Sequence, residues 1–271
     1  MKRAFAAAML LGLVWVCPAR AEEPFGLPLT GEAAEAFLRT AEVTRKKAIG
    51  TGITHPDQYT LSDGERTCRA VWKTIDEFKR GVTRFEGGGV VVDFADSYKH
   101  EIAAYELDKL LGTGLVPPTV ERRFGDTTGS LQLWVEGAMT EADRKQKKIA
   151  PHDLQSWNEQ IYKVRLLHQL TYNTDYRNIR NVLSDPSFRV YAVDFSRAFT
   201  FYPNLRSEEE LPRFSRSLLE ALKTLDRPTL DAKLGHWPTG PQIEGILKRR
   251  DKLVALAARR VQEQGEAAVL Y

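Results

Sequence analysis

Apolar positions change their spacing along the chain, and the change divides it. Between about residues 43 and 73, short extended runs alternate with turns: 46–49, a Gly50-Thr51-Gly52 turn, 58–61, a polar turn over 62–65, and Thr67–Lys73. Asp63-Gly64 between two such runs predicts a hairpin. Gly81 and Gly87 to Gly89 predict a loop, with a short strand over 90–93 beyond it. In Tyr98–Leu111 the apolar residues Ile102, Tyr105 and Leu110, flanked by Ala103 and Leu107, recur near every 3.6 positions, which predicts a helix. Ser97 is placed to cap it and Gly112 to end it. Strands are expected over 115–122, entered through Pro117-Pro118, and over 130–135. Past Gly137 the pattern is helical over 156–172, 211–225 and 243–261, with one short strand over 190–194. Strands first and helices later predict an α+β fold, sheet-rich in an N-lobe over 45–136 and helical in a C-lobe over 137–271.

Residues 22–44 read as an N-terminal arm, mostly coil after Pro24, Gly26 and Pro28, with a short helix over 32–38. Ahead of it, Lys2-Arg3, an apolar run over 4–16 and Ala19-Arg20-Ala21 have the order of a secretory signal peptide, with cleavage expected before Glu22. The run is too short to span a bilayer as a helix. Export to the periplasm or medium, without stable membrane insertion, is the expectation. Lys and Arg number 39 against 36 Asp and Glu, and three of those bases, Lys2, Arg3 and Arg20, lie in the leader. The mature chain is therefore neutral and lacks the positive field that nucleic-acid binding requires. Losing Cys17 leaves Cys68 without an internal disulfide partner, and its apolar neighbours Ala70 to Trp72 predict a packed thiol.

Several chemistries are excluded. The five histidines show no paired metal-ligand spacing, and there is neither a G-x-S-x-G elbow nor a Walker A loop. What remains is an ordered set suited to phosphoryl transfer. Gly50, Thr51 and Gly52 can bend backbone N–H groups over a phosphate. Lys73 ends a strand, and Glu101 on the following helix is placed to pair with it. Asp175 lies in a polar loop after a helix, Asn181 precedes the apolar Val182-Leu183, and Asp194 ends a second short apolar run. In phosphotransferases of the protein-kinase type, one Asp takes the hydroxyl proton while a loop Asn and a second Asp bind the metal. The alternative for each residue taken singly is a hairpin turn or a solvated charge. The basic runs at Lys145 to Lys148 and Lys248 to Arg250 are read as solvated faces, and the last helix is expected to pack through Ile243, Leu247, Val254, Ala257 and Val261.

The segments 98–112, 115–122, 129–136, Asn173-Thr174-Asp175 and 193–199 resemble the bacterial relatives of the four-jointed and secretory-pathway casein kinase families, an atypical branch of the protein-kinase-like fold akin to phosphoinositide and HipA-type kinases. The resemblance runs from about residue 45 to 260. It implies a bilobal kinase fold, with a phosphate loop at Gly50, Thr51 and Gly52, a phosphate-binding Lys73 partnered by Glu101, and a hinge at Trp134, Val135 and Glu136. It further implies a catalytic Asp175, metal ligands Asn181 and Asp194, and ATP with Mg2+ or Mn2+ as cofactors. The acceptor it implies is a hydroxyl on a protein or small molecule, used by a monomer. Two departures stand out. The family places Asn five residues after the catalytic Asp, where this chain has Arg180, so Asn178 rivals Asn181 as the metal ligand. Asp194-Phe195-Ser196 stands where common kinases have Asp-Phe-Gly. A catalytically inactive pseudokinase and an AMP transferase are the alternatives on the same fold.

Overall fold

The computed structural model describes residues 25–50, 56–84 and 90–271. The expected leader, Thr51 and Gly52 of the phosphate loop, and Gly87 to Gly89 lie outside the described residues.

Five antiparallel strands form the N-terminal sheet: β1 (Glu42–Ala48), β2 (Asp57–Ser62), β3 (Thr67–Lys73), β6 (Thr119–Phe124) and β7 (Thr127–Leu133), in the order β1-β2-β3-β7-β6. Alternation along β3 decides the two faces. Cys68, Ala70 and Trp72 are buried under helix α1 (Gly31–Thr40), in one core with Ala34, Phe37, Leu38, Leu61 and Leu131. Val71 and Lys73, on the opposite face, line the cleft. The segment read as an arm is thus part of the N-lobe core. Arg122 on β6 ties it down by donating to Leu38 O at 2.7 Å and Ala41 O at 2.6 Å, carbonyls left unpaired where α1 ends.

A second hairpin, β4 (Asp76–Arg84) with β5 (Val90–Ser97), replaces most of the loop expected around Gly81. The register slips between Lys79 and Val82, and the Gly81 amide in this bulge donates to Asp93 Oδ1 at 2.8 Å. Helix α2 (Tyr98–Leu111) has the expected limits. The Ser97 side chain accepts from Lys99 N, and Gly112 adopts the left-handed conformation that closes the helix. Ala103, Ala104, Leu107 and Leu111 of α2 belong to the large core of the helical lobe, so α2 is anchored from below. The strand expected from residue 115 starts only at Thr119, because Pro117 and Pro118 have no N–H for the ladder.

The C-terminal lobe contains a short strand β8 (Met139–Thr140), helix α3 (Glu141–Gln146), helix α4 (Leu154–Thr171), strands β9 (Val182–Ser184) and β10 (Val190–Ala192), then helices α5 (Arg216–Thr224), α6 (Arg227–Leu234), α7 (Gly240–Gln264) and α8 (Glu266–Val269). The strands form a small sheet, β10-β9-β8. Helix α5 starts five residues later than expected, at the Ser215 cap. The buried line of α7 runs through Ile243, Ile246, Arg249, Leu253 and Leu256, so Lys248 is exposed as expected while Arg249 and Arg250 depart from the reading of a solvated face. Arg249 is 0% exposed, and Arg250 reaches Leu225 O. Among the described residues no helix is long and apolar enough to cross a membrane.

Candidate active site

The cleft between the lobes is a cavity of about 310 Å3, lined on the sheet side by Ile49, Pro56, Val71 and Lys73 and from below by Asn181, Leu183, Val193 and Asp194. Trp134 and Val135 line its back wall. The Trp134 amide donates to Arg69 O at 2.9 Å, which holds the connector to β3. Glu136 does not line the cavity. Its Oε1 accepts from Arg69 Nε at 3.0 Å, and its backbone bridges to Gly26. Ile49 N donates to Pro56 O at 2.9 Å, pairing the ends of β1 and β2 at the edge of the cavity that both residues line. Gly50 is described but does not line the cavity.

Lys73, Glu101 and Asp194 meet. Lys73 Nζ donates to Glu101 Oε1 at 2.6 Å and to Asp194 Oδ1 at 2.8 Å. Glu101 is 1% exposed, and its other oxygen accepts from Phe195 N at 3.0 Å. Burial works against the Lys73 ammonium, but the Glu101 and Asp194 carboxylates outweigh it and push its pKa up. Burial likewise opposes the Asp194 carboxylate, and Lys73 with the Ser196 hydroxyl brings its pKa below the ordinary value. Lys73 therefore stays protonated and faces the cavity.

Asp175, Asn178 and Asn181 form the second group. Asp175 Oδ2 accepts from Asn178 Nδ2 at 2.9 Å and Asn181 Nδ2 at 3.0 Å, while Oδ1 has no protein donor among the described residues. The extra residue in this loop is absorbed by a 3-10 turn, Ile179–Asn181, in which Asn181 N donates to Asn178 O at 2.9 Å. That turn separates the two rivals. Asn178 Oδ1 accepts from Arg180 N at 3.2 Å as the turn's cap. Asn181 Oδ1 has no donor among the described residues, and Asn181 lines the cavity beside Asp194. A divalent cation coordinated by oxygen fits Asp194 and Asn181, with phosphate and water completing its shell. No cluster of three or more His, Cys, Asp or Glu side chains suited to a metal occurs among the described residues.

Three buried residues that join these groups were not singled out as site residues from the sequence. Asn173 is 0% exposed. Its Oδ1 accepts from Asp175 N at 2.9 Å, and its Nδ2 donates to His168 Nδ1 at 3.3 Å and to Asp194 O at 3.4 Å, linking the Asp175 loop to Asp194. His168 stacks on Phe195, and burial lowers its pKa to about 4. His100, beside Glu101, places Nδ1 2.9 Å from Ser196 O and Nε2 3.3 Å from the Gln242 amide. A carbonyl can only accept, so Nδ1 carries the proton and Nε2 accepts from Gln242. Burial lowers its pKa to about 4, keeping it neutral. For His168 the signal available in the sequence was its place among apolar neighbours, Leu166-Leu167 before it and Leu170 after it, whereas His100 between Lys99 and Glu101 and Asn173 between Tyr172 and Thr174 carry no such signal.

The sequence matches no protein family model and no curated protein. Solved structures do resemble this chain. Hydra Fam20, determined with sugar, matches at a TM-score of 0.64 and 14% identity over 88% of this chain and 90% of that one. The Golgi casein kinase with Mn/ADP bound matches at 0.62 and 15% identity, over 88% and 78%. The Helicobacter pylori proinflammatory kinase CtkA matches at 0.52 and 10% identity, over 84% and 98%.

Proposed function

From its Fam20-like atypical kinase fold, we propose that this chain is an exported ATP-dependent phosphotransferase, moving the γ-phosphate to a hydroxyl on a protein or small molecule. The observation that carries this reading is the contact of Lys73 with both Glu101 and Asp194, in a cavity that Asn181, bonded to Asp175, also lines. The adenine end of ATP is assigned to the wall of Trp134 and Val135. The phosphates lie toward Lys73 and the connection between Ile49 and Pro56. Asp194 and Asn181 would hold Mg2+ or Mn2+, which would supply the positive charge that phosphoryl transfer needs. Asp175 is held by the two Asn amides through Oδ2, which leaves Oδ1 to orient the acceptor hydroxyl and take its proton. The acceptor oxygen bonds to the γ-phosphorus, the bond to the β-phosphate bridging oxygen breaks, and ADP leaves.

Export is proposed from the leader at residues 1–21, and a mature N-terminus at Glu22 is the expected result of N-terminal sequencing. The activity is tested with the mature chain and Mn2+, using ATP labelled at the γ- or the α-phosphate. Transfer of γ-label supports the kinase reading, and α-label transfer replaces it with AMP transfer. Nucleotide binding without transfer to any acceptor or to water leaves a pseudokinase.

A further inference from the structure

Arg249 is the largest fully buried side chain among the described residues, and it does not line the cleft. It makes no ion pair among the described residues, and its hydrogen bonds there all go to main-chain carbonyls. Nε donates to Leu170 O at 2.7 Å, Nη1 donates to Thr200 O at 3.1 Å and to Tyr202 O, and the guanidinium lies 5.6 Å from the centre of the Tyr172 ring. Burial lowers its pKa to about 9, which leaves it charged at neutral pH. A buried charge without a carboxylate is a costly way to fill space, and an apolar side chain of similar length would fill the same volume.

The carbonyls it holds explain its presence. Leu170 O is in the last turn of α4, three residues before Asn173, whose side chain fixes the Asp175 amide. Thr200 and Tyr202 belong to the segment that leaves Asp194-Phe195-Ser196 and passes β5, where Tyr202 Oη donates to Asp93 Oδ2 at 3.4 Å. The Arg249 fork thus spans the root of the Asp175 loop and the chain after Asp194. One turn earlier on α7, Gly245 makes room for it. A Cβ there would come within 2.8 Å of Arg249 Nη1 and 2.9 Å of Thr200 O, so only glycine leaves the notch open.

We propose that Arg249, seated in the Gly245 notch, is a positioning residue for phosphoryl transfer, setting the Asp175 loop against the segment 200–202. The inference rests on the kinase reading for its consequence in rate, and on the fold alone for its consequence in order. Nucleotide contacts come from Lys73, Asn181 and Asp194, none of which Arg249 touches.

The test compares the full chain with Arg249→Lys and Gly245→Ala. Lysine keeps the charge but cannot fork to all the carbonyls, and the alanine methyl displaces an otherwise intact arginine. Misplacement by an ångström or less predicts a kcat lower by about 100-fold, with the ATP KM and the Mn·ADP Kd changed by less than about threefold. Amide exchange should quicken over 172–176 and 199–203 and stay unchanged in the five-stranded sheet. Unaltered kcat and local exchange in both variants overturns the proposal. Loss of folding in both, or faster exchange throughout, makes Arg249 part of the general scaffold and overturns it equally. If the unaltered chain transfers no phosphate, localised exchange still upholds the positioning role, and only the kinase reading fails.

Discussion

Glu101 holds Lys73 with one carboxylate oxygen at 2.6 Å and the Phe195 amide with the other at 3.0 Å, so a single buried side chain fixes both the cavity-lining lysine and the turn that presents Asp194. Glu101→Gln keeps the shape and removes the charge. Its expected effect is a fall in phosphoryl transfer of about 100-fold or more, the scale of losing one preorganised electrostatic partner. Glu101→Ala should also destabilise by about 3 kcal/mol, because Lys73 is left buried with Asp194 alone. Steady-state kinetics and urea unfolding measure the two effects. A Gln variant at full rate removes Glu101 from the site.

The two asparagines that bond Asp175 should separate in a metal titration. Asn181→Ala removes an oxygen that faces the cavity, and Mn2+-dependent ADP binding is expected to weaken by at least about tenfold. Asn178→Ala removes a cap, costing about 1 kcal/mol of local stability with binding nearly unchanged. The reverse ranking, read by calorimetry, makes Asn178 the metal ligand.

Asp175→Asn should fold and bind Mn·ADP as the unaltered chain does, since the Asn173 and Asn181 contacts can persist. Transfer to the acceptor should drop by about 1,000-fold, within the range of general-base removal. A rate within tenfold of the original, measured with γ-labelled ATP, would count against Asp175 as the base.

His168 gives stability a direction in pH. In the folded chain its pKa is about 4, against an ordinary 6.5 when unfolded. As pH falls below 6.5 the unfolded chain takes up a proton that the native state refuses, so stability declines until about pH 4 and then levels. The loss is roughly 3 kcal/mol from this group. His100 acts in the same direction. Urea midpoints from pH 7 to pH 4 should show the decline, and His168→Gln should make it shallower, leaving the part due to His100. Equal slopes in the two proteins would mean that the imidazole is not held neutral.

Much of this fold was legible wherever sequence spacing matched one buried face. Thr67–Lys73 and Tyr98–Leu111 have the expected limits because a strand end and two caps are written locally. Of the β4–β5 hairpin only the strand over 90–93 was legible, and β4 was not. Phe78 and Val82 are exposed on β4, so no buried face imposed a two-residue alternation there. Charged residues misled in the opposite sense. Arg249 sits among Lys248 and Arg250 in sequence, and only the arrival of Leu170, Thr200 and Tyr202 from elsewhere makes it an interior residue. That Lys73 would pair with Glu101 was legible because their order along the chain, a strand end followed by a helix, is informative. The choice between Asn178 and Asn181 rests on which oxygen the Arg180 amide occupies, a matter of backbone geometry.

In a chain without residues 1–21, Cys68 is the only thiol, and it lies under α1 with its pKa raised by burial and by nearby carboxylates. A disulfide reagent can reach it only when the sheet parts from that helix. The protein therefore carries an internal clock: the rate of labelling at Cys68 times the opening of the N-lobe core, and the slowing of that rate by Mn·ADP would report nucleotide capture without mutation or an attached dye.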